Sequence, residues 1–287
     1  MTSSEHQANR EALTLVLTAR GKTGRRVADR LEARVVPIRR GSRSGEIPFE
    51  WNDPTTWEPT LAGVKAAYVV YTPDLAVPAA PPAIRDFTKL AVRSGVKNLV
   101  LLSGRGEEEA QRCERIVQDS GVDWTIVRAS WFSQNFSEGP FLDLVVGGEV
   151  ALPAGSVAEP FIDAGDIADV AVAALTEDGH AGQVYEVTGP RMLTFAEAIA
   201  EIAEAAGRPI CYVQIPQEAF VAGLTQAGVP ADYIELLKYL FTTVLDGRNE
   251  HLTDGVQRAL GRAPRDFREY ARDVAPTGVW NGPGQGA

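Results

Sequence analysis

The sequence predicts an α/β protein with a doubly wound parallel sheet and a smaller mixed α/β lobe towards the C-terminus. Two observations lead to this prediction. Short apolar runs alternate with amphipathic helical patterns over the first 130 residues, as in repeated strand–helix–strand units. A glycine turn also joins the first apolar run, Leu13–Leu17, to a helical pattern that contains Val27, Ala28 and Leu31.

The turn after this first strand is the most informative stretch of the chain. Gly21 and Gly24 follow the strand, so the helix begins with unpaired N–H groups directed at the turn. Such a turn either holds the pyrophosphate of a dinucleotide or is an ordinary strand-to-helix connection, and the stretch alone favours neither. A P-loop is excluded, because Val16 stands where that motif requires glycine. The dinucleotide fingerprint fits better, with Thr18 in place of its first glycine.

The second predicted strand, Val35–Ile38, runs into a basic turn. In a dinucleotide fold the residue at the end of this strand meets the adenosine ribose. An acid there binds the free hydroxyls of NAD, whereas an arginine suits the 2′-phosphate of NADP. Arg39 stands at this position, and no acid occurs between Val35 and Gly45. The sequence therefore favours NADP(H) over NAD(H), with a solvated basic turn as the alternative.

The remaining elements of the first part continue the alternation of strands and helices. They are a short strand at Ile47–Trp51, a helix at Thr55–Leu61, a strand at Val64–Tyr71, a helix at Pro81–Ser94, a strand at Asn98–Leu102, a helix at Glu107–Ser120 and a strand at Val122–Arg128. Proline opens the helix at 81–94 and glycine follows it, while acids at the start of the helix at 107–120 suit its dipole.

Beyond residue 130 the pattern is less regular. The predicted elements are a helix at Trp131–Val146, strands at Val150–Leu152 and Pro160–Ile162, a helix capped by Asp166 that ends at Leu175, a strand at Gln183–Val187, a helix at Phe195–Ala206 with a capping box of Thr194 and Glu197, a strand at Cys211–Ile215, and helices at Gln217–Ala227, Ala231–Asp246, Thr253–Leu260 and Phe267–Asp273.

These elements predict a division of the chain into two domains. Residues 12–130, with 158–190 returning to the same sheet, form a dinucleotide-binding domain. Residues 131–157 and 191–274 form a substrate-side lobe. Residues 1–11 and 275–287 are predicted to be flexible tails, the second because it is rich in glycine and proline.

Composition and charge restrict the class of function. A net charge of −10 argues against nucleic acid as a partner, because binding phosphates needs a basic surface. No apolar run is long enough to span a membrane, and the polar first eleven residues lack a signal region, so we expect a cytoplasmic protein without membrane contact. The two cysteines are far apart and the three histidines lack metal-ligand spacing, so neither a disulfide nor a metal site is expected.

Short motifs spread over about residues 13–270 resemble the NmrA-like family of atypical short-chain dehydrogenases/reductases, in particular its actinobacterial quinone-reductase-like members. They are Gly21–Gly24, Trp51–Trp57, Leu61–Val64, Gly121–Arg128, Trp131–Phe136, Phe161–Ala168, Tyr185–Pro190 and Leu193–Glu197. The resemblance implies an NADP-binding Rossmann domain with a smaller lobe over the nicotinamide end.

The sequence departs from the family pattern at three positions. Thr18 replaces a glycine, and Arg20 replaces a small or hydroxyl residue. Arg20 either contacts a phosphate or fills the site. Ala129 stands where the family has proline after the arginine that ends the strand, a smaller change in the wall near the nicotinamide.

The proton-donating pair of ordinary short-chain dehydrogenases, a tyrosine with a lysine four residues later, is absent from all seven tyrosines. Three functions stay open. The favoured one is an NADPH-dependent reductase of a quinone or conjugated, polyketide-like carbonyl, because the part after residue 190 has more apolar material than a cofactor holder needs. The others are a non-catalytic NADP(H)-binding redox sensor with a protein partner, and a degenerate site with a scaffold role or cofactor-free chemistry.

The candidate residues follow from the predicted strand ends and from the resemblance. The cofactor candidates are Thr18, Arg20, Gly21, Lys22, Thr23, Gly24, Arg39, Tyr71, Thr72 and Ser103. Ser103, Tyr71 and Asn135 are candidates to orient a substrate oxygen. Trp131, Phe132, Asn135, Phe136 and Phe161 either line a pocket for an aromatic or quinonoid small molecule or simply pack in the core. An apolar helix face at 236–244 leaves a homodimer possible.

Overall fold

The computed structural model describes residues 12–282, so the predicted tail 1–11 lies outside it. The chain forms two compact units. The first unit contains the described residues up to Ala129, together with Ala164–Val187 and Asp254–Arg262. The second contains Ser130–Asp163, Thr188–Thr253 and the described residues from Ala263 onwards.

The strands and helices are numbered in chain order. The strands are β1 (Thr14–Leu17), β2 (Ile38–Gly41), β3 (Ala66–Val69), β4 (Asn98–Gly104), β5 (Asp123–Ala129), β6 (Glu149–Leu152), β7 (Ala158–Glu159), β8 (Gln183–Val187), β9 (Leu193–Thr194) and β10 (Cys211–Gln214). The α-helices are α1 (Lys22–Ala33), α2 (Trp57–Leu61), α3 (Ala80–Arg93), α4 (Glu108–Gln118), α5 (Leu142–Gly147), α6 (Ala164–Thr176), α7 (Phe195–Ala206), α8 (Gln217–Gln226), α9 (Ala231–Tyr239), α10 (Gly255–Leu260) and α11 (Phe267–Val274).

The first unit is built on one six-stranded sheet in the order β2-β1-β3-β4-β5-β8, and every neighbouring pair is parallel. All four residues of β1 and of β3 are buried, as expected of strands covered on both faces. Helix α1 buries Val27, Ala28 and Leu31, the residues whose spacing predicted it. The predicted doubly wound α/β fold is therefore confirmed, and the carboxyl ends of the strands share one edge of the sheet.

The second unit holds two small sheets and an aromatic core. Strands β6 and β10 pair in parallel, and β7 and β9 pair antiparallel. Phe136, Phe161 and Phe195 pack against one another, with ring centroids 5.1–6.1 Å apart. Helix α7 begins with the predicted capping box of Thr194 and Glu197. This unit is the predicted smaller mixed α/β lobe.

The two units differ from the predicted domain division at four places. Ser130 and residues 158–163 and 188–190 lie in the second unit, and residues 254–262 lie in the first. The position of residues 254–262 has a local cause at the start of α10. The backbone of Gly255 lies so close to Glu186 of β8 that a Cβ on it would be 2.0 Å from the Glu186 carbonyl oxygen. Only glycine allows this contact, which holds α10 on the sheet.

Two predicted strands are wrong. Ile47–Trp51 forms no strand among the described residues, only isolated bridges, because Pro48 lacks an N–H and the side chains of Phe49 and Trp51 turn into the core instead. Pro160–Ile162 is likewise not a strand: β7 ends before it, and Ile162 forms one bridge with Phe132.

Two predicted helix boundaries are also wrong. The stretch Trp131–Val146 forms a 3-10 turn at Ser133–Phe136 and then α5, because Gly139 and Pro140 interrupt it. Asp166 is not the cap of α6, which begins at Ala164. It lies buried in the first turn and forms a 2.7 Å ion pair with Arg262.

The predicted flexible tail from residue 275 is wrong for its described part. Residues 275–277 form a 3-10 turn, and Trp280 is only 1% exposed. Its indole Nε1 donates to the Phe136 carbonyl at 2.8 Å, and Arg208 Nε donates to the Trp280 carbonyl at 2.8 Å. A single large apolar side chain thus anchors a segment whose composition indicates a loop. Among residues 12–282, no helix is long and apolar enough to cross a membrane.

Candidate functional site

The turn between β1 and α1 has the backbone path of a dinucleotide fingerprint. Thr18 takes a left-handed conformation with φ of +52°, which a glycine would adopt without strain. The Gly21 N–H donates to the Thr18 carbonyl at 2.8 Å, which closes the turn. The Thr18 hydroxyl donates to the Val70 carbonyl at 3.3 Å. The threonine therefore keeps the conformation that the missing glycine would supply.

The two glycines that remain in the turn are packed closely against its backbone. A Cβ on Gly24 would lie 2.2 Å from the Thr18 carbonyl oxygen, so this position requires glycine. A Cβ on Gly21 would lie 2.7 Å from the Cγ2 methyl of Thr18. That methyl therefore occupies space beside Gly21 that is open in a turn with three glycines.

The first turn of α1 suits an anion. Gly21 precedes the helix, no side chain caps its first N–H groups, and no acid lies in the first turn. Lys22 is half-buried there, and Thr23 is buried. Arg20 is exposed, and its guanidinium makes no hydrogen bond or ion pair within residues 12–282. Both expectations for Arg20, a contact with a phosphate or a side chain that fills the site, stay open.

Arg39 lies within β2, opposite Leu15 of β1, and not at the strand end. One of its guanidinium nitrogens donates to the carbonyls of Thr60 at 2.8 Å and Ala62 at 2.7 Å. Arg43 lies two residues after the end of β2. It is exposed and has no partner among residues 12–282. The basic turn thus offers a second arginine as a candidate for binding a ribose phosphate.

Tyr71 and Thr72 follow β3 at the carboxyl edge of the sheet. Thr72 is exposed, whereas Tyr71 is buried, with its ring centroid 4.9 Å from that of Trp51. Burial raises the pKa of the Tyr71 phenol, and the nearby Cys113 thiol raises it further. Tyr71 thus remains a neutral phenol, and packing fixes its ring.

Ser103, near the end of β4, belongs to a buried ionic network. Its hydroxyl donates to Glu114 Oε1 at 2.6 Å. Arg128 of β5 donates to the two oxygens of Glu114 at 2.9 and 2.5 Å and to Glu186 of β8 at 2.5 Å. The Ser103 proton is therefore committed to Glu114, and toward a substrate this hydroxyl can only accept a hydrogen bond.

Asp74 and Glu107 form a second acidic group at the same edge, which the sequence reasoning missed. Glu107 is 6% exposed, and its carboxylate fills the space beside Gly104, where a Cβ would lie 2.0 Å from Oε1. Asp74 follows β3, is half-buried, and accepts the Ala76 N–H at 2.8 Å. Burial raises the pKa of Glu107 well above its usual value, and Asp74 raises it further.

The second unit holds the residues predicted to line a substrate pocket. Phe136 and Phe161 are 0% and 2% exposed and pack in its aromatic core, so the core-packing alternative describes them. Trp131 is half-buried and packs 5.2 Å from Phe241. Phe132 and Asn135 are also half-buried.

Asn135 is held by its backbone. Its N–H donates to the Phe132 carbonyl at 3.0 Å, and its own carbonyl accepts the N–H of Phe141 at 3.2 Å. These bonds fix the backbone of the 3-10 turn without using the side-chain amide. Of the predicted pocket residues, Trp131, Phe132 and Asn135 therefore keep exposed surface.

The cofactor candidates meet at one edge because all strands of the sheet are parallel. Thr18, Tyr71 and Ser103 each lie at or just beyond the carboxyl end of a central strand. The residues of the turn fit a dinucleotide at this edge, because Gly24 has no room for a Cβ and no side chain caps the first N–H groups of α1. Among residues 12–282, no group of histidine, cysteine, aspartate or glutamate could hold a metal ion.

Comparison with known proteins agrees with this arrangement. The model of the NmrA-like family matches residues 108–271. The chain belongs to the NmrA-like family. An uncharacterized oxidoreductase of Bacillus subtilis (strain 168) is 30% identical over 269 residues, which cover 90% of this chain and 93% of that protein. An NAD(P)H azoreductase of Xenophilus azovorans is 32% identical over 235 residues, which cover 77% of this chain and 79% of that protein.

A solved structure extends the likeness to the fold. The triphenylmethane reductase of Citrobacter sp., complexed with NADP(H), has a TM-score of 0.72 and 18% identity, and the match covers 92% of this chain and 99% of that one. At this identity the match supports the NAD(P)-binding fold alone. The names of the relatives support an oxidoreductase function for this NmrA-like protein.

The part of the NmrA-like pattern that ends β5 has a structural explanation. Its arginine, Arg128, neutralises Glu114, which is 3% exposed in its side chain. Glu186 binds the same guanidinium and also lies 3.5 Å from Arg105. The sequence offers one clue to the acidic residues near Ser103, because Glu107 follows the turn after β4 directly. Their pairing with residues of other strands leaves no local pattern.

Proposed function

We propose that the protein is an NADPH-dependent reductase that acts on a quinone or another conjugated acceptor without a tyrosine–lysine pair. The main support is the turn between β1 and α1. There Thr18 takes a left-handed conformation although it replaces glycine, no side chain caps the first N–H groups of α1, and no acid lies in the first turn of that helix.

In this proposal each part of the carboxyl edge has a distinct role. The N–H groups at the start of α1 and the Lys22 side chain bind the pyrophosphate. Tyr71 and Thr72 lie beside the next strand end, where the adenosine and ribose pass, and Ser103 accepts a hydrogen bond at the nicotinamide end. When bound, NADPH supplies a hydride.

The proposed acceptor class follows from what the chain lacks and from its relatives. Without a tyrosine–lysine acid, an unactivated ketone is a poor substrate, whereas a conjugated acceptor stabilises the added electrons itself. The azoreductase relative also acts on small molecules, in keeping with a small-molecule substrate here. The half-buried candidates of the second unit for contact with an aromatic or quinonoid group are Trp131, Phe132 and Asn135.

The preference for NADPH is proposed to depend on an arginine of the basic turn. Arg39 is the residue indicated by the sequence, but its guanidinium already donates to two carbonyls. Arg43 is exposed and unpartnered among residues 12–282, so it can turn to a 2′-phosphate without breaking a bond. We therefore propose Arg43 as the main contact and Arg39 as a support of the turn.

A fluorescence titration tests the cofactor assignment. We expect NADPH to bind more tightly than NADH, and Arg43→Ala to weaken NADPH binding about tenfold, as loss of a charge-assisted bond of about 1.5 kcal/mol would. Arg39→Ala should have a smaller effect. Arg93→Ala is the matched control, because Arg93 is exposed and unpartnered at the end of α3, on the other edge of the sheet. Equal affinities for the two cofactors in the unaltered protein would refute the preference.

Absorbance at the nicotinamide band then tests the reaction. We expect NADPH to be oxidised in the presence of quinones and much more slowly in the presence of a simple ketone. Tight binding of NADPH without reduction of any quinone, azo compound or conjugated ketone would refute the reductase and favour a redox sensor. Rapid reduction of an unactivated ketone would refute the acceptor class.

A further inference from the structure

The carboxyl edge of the first unit holds a buried acid, Glu107. Glu107 is 6% exposed, and its Oε2 has no hydrogen-bond partner among residues 12–282. Its carboxylate lies directly against Gly104, the last residue of β4, at a distance that excludes any Cβ there. The absent side chain at position 104 thus leaves a space at the strand end that the Glu107 carboxyl group fills.

The second carboxyl group of this pair comes from the neighbouring strand. Asp74 follows β3, and its side chain hydrogen-bonds with that of Glu107. Two carboxylates have only acceptor atoms, so a hydrogen bond between them requires one proton on the pair. Burial raises the pKa of both groups, and the bond lowers that of Asp74 and raises that of Glu107. Both shifts favour one proton that the two carboxyl groups share.

The surroundings keep this proton in place. The acids that act on Glu107 are Asp74 and Glu114, and both disfavour its ionised form. The positive charge of Arg128 is already neutralised by Glu114, which accepts two hydrogen bonds from its guanidinium. The Cys113 thiol of the same helix has a pKa raised to about 12, so it stays protonated at neutral pH and is not the proton's acceptor. These neighbours therefore favour a proton on the pair.

The position of the pair relates it to the proposed reaction. Asp74 is half-buried and lies two residues after Thr72, which is exposed. Glu107 adjoins Gly104, one residue after Ser103. The pair thus lies between the two strand ends that hold the proposed cofactor residues, and its Asp74 member retains exposed surface.

We propose that the carboxyl pair Asp74–Glu107 is the proton source of the reductase, in place of the tyrosine and lysine that the chain lacks. This inference rests on the proposed function. Reduction of a quinone takes up one hydride, which a C–H bond of NADPH would supply, and one proton, which forms an O–H bond. The O–H bond of the pair breaks, its proton goes to the oxygen of the acceptor from the exposed Asp74 side, and the pair is left with two negative charges. Water then returns one proton to the pair, which restores the starting state.

A first experiment detects the proton without turnover. Infrared spectra at neutral pH should show the C=O stretch of a protonated carboxylic acid in the unaltered protein. Glu107→Gln should remove this band, and the double variant with Asp74→Asn should lack it as well. Glu108→Gln should keep it, because Glu108 is the exposed neighbour at the start of α4. Absence of the band from the folded unaltered protein would overturn the proposal.

A second experiment compares two acceptors that differ in their need for a proton. A quinone takes a hydride and a proton, whereas a cationic triphenylmethane dye takes only a hydride and becomes neutral. Glu107→Gln should lower the turnover number with the quinone by about a hundredfold, a typical loss for a general acid, and change that with the dye by less than about twofold. The amide fills the same space and still bonds to Asp74, so the fold is kept.

The outcomes separate the two proposals. Equal losses with quinone and dye would show that Glu107 positions the site, and would overturn its role as proton source. No effect on the quinone would overturn it as well. If the unaltered protein binds NADPH but reduces neither acceptor, the proposed function fails, and the role as proton source fails with it. The infrared band then still reports whether the pair shares a proton.

Discussion

Replacing Arg128 by methionine tests whether the ionic network at the carboxyl edge depends on this one cation. Arg128 donates to both oxygens of Glu114, whose side chain is 3% exposed, and to Glu186. Methionine preserves much of the volume but leaves Glu114 with the Ser103 hydroxyl as its remaining donor. A buried carboxylate without its cation must then either remain charged in a poorly solvated position or take up a proton.

The magnitude follows from this loss of the partner. Removing one member of a buried ion pair costs about 3–5 kcal/mol, so Arg128→Met should lower the free energy of unfolding by that amount. Glu114→Gln should cost only about 1–3 kcal/mol, because Arg128 keeps its bond to Glu186. The double variant Arg128→Met, Glu114→Met should be more stable than Arg128→Met alone, because it contains no unpaired buried charge.

Urea unfolding at neutral pH measures the loss in the free energy of unfolding. Hydrogen exchange of the β4 and β5 amides locates this loss in the first unit. A loss below about 1 kcal/mol in Arg128→Met at neutral pH would refute the reasoning, since that is the range of exposed pairs. So would a larger loss in Glu114→Gln than in Arg128→Met.

Three further predictions concern the turn, the C-terminal segment and the acid pair. Thr18→Gly should tighten NADPH binding in a titration, because it removes the methyl that lies against Gly21, and weaker binding would contradict this. Trp280→Ala should lower the free energy of unfolding by about 3–5 kcal/mol, because it removes a buried ring. Trp280→Phe keeps an aromatic ring but loses the N–H bond to the Phe136 carbonyl, so it should lower the free energy of unfolding by only about 1 kcal/mol. Equal losses in the two variants would contradict the role of the ring. Since the pKa of Glu107 is raised above 4.5, the unaltered protein should lose stability as the pH rises through and above that value. Glu107→Gln should lack this loss in urea unfolding, and parallel pH curves would contradict the assignment.

The sequence is enough to predict the parallel sheet and its edge. Local signals specify these features: buried apolar runs for β1 and β3, helical spacing for α1, and the capping box of Thr194 and Glu197. Parallel strands then bring their carboxyl ends together without further information. For this reason the sequence alone predicts that Thr18, Tyr71 and Ser103 lie at one edge of the sheet.

The partners of the polar side chains could not be predicted in the same way. The sequence predicts that Arg39 lies at the end of a strand, but the strand extends to Gly41. The Arg39 guanidinium donates to the carbonyls of Thr60 and Ala62. The Asp74–Glu107 bond joins residues on different loops, 33 positions apart. Such pairings depend on strand order and side-chain direction, which periodicity does not encode.

The turn after β1 shows what a sequence fingerprint encodes. From the residues alone, threonine at position 18 counts against a cofactor, because the fingerprint requires glycine there. In the structure Thr18 takes a left-handed backbone conformation with φ of +52°, which a glycine would adopt without strain. The surrounding bonds hold it there: Gly21 donates to the Thr18 carbonyl, and the Thr18 hydroxyl donates to the Val70 carbonyl. Val35, an exposed residue after α1, has a similar φ of +59°, so this strain is not confined to the turn after β1. The comparison of the unaltered protein with Thr18→Gly is therefore what decides whether the threonine serves the cofactor.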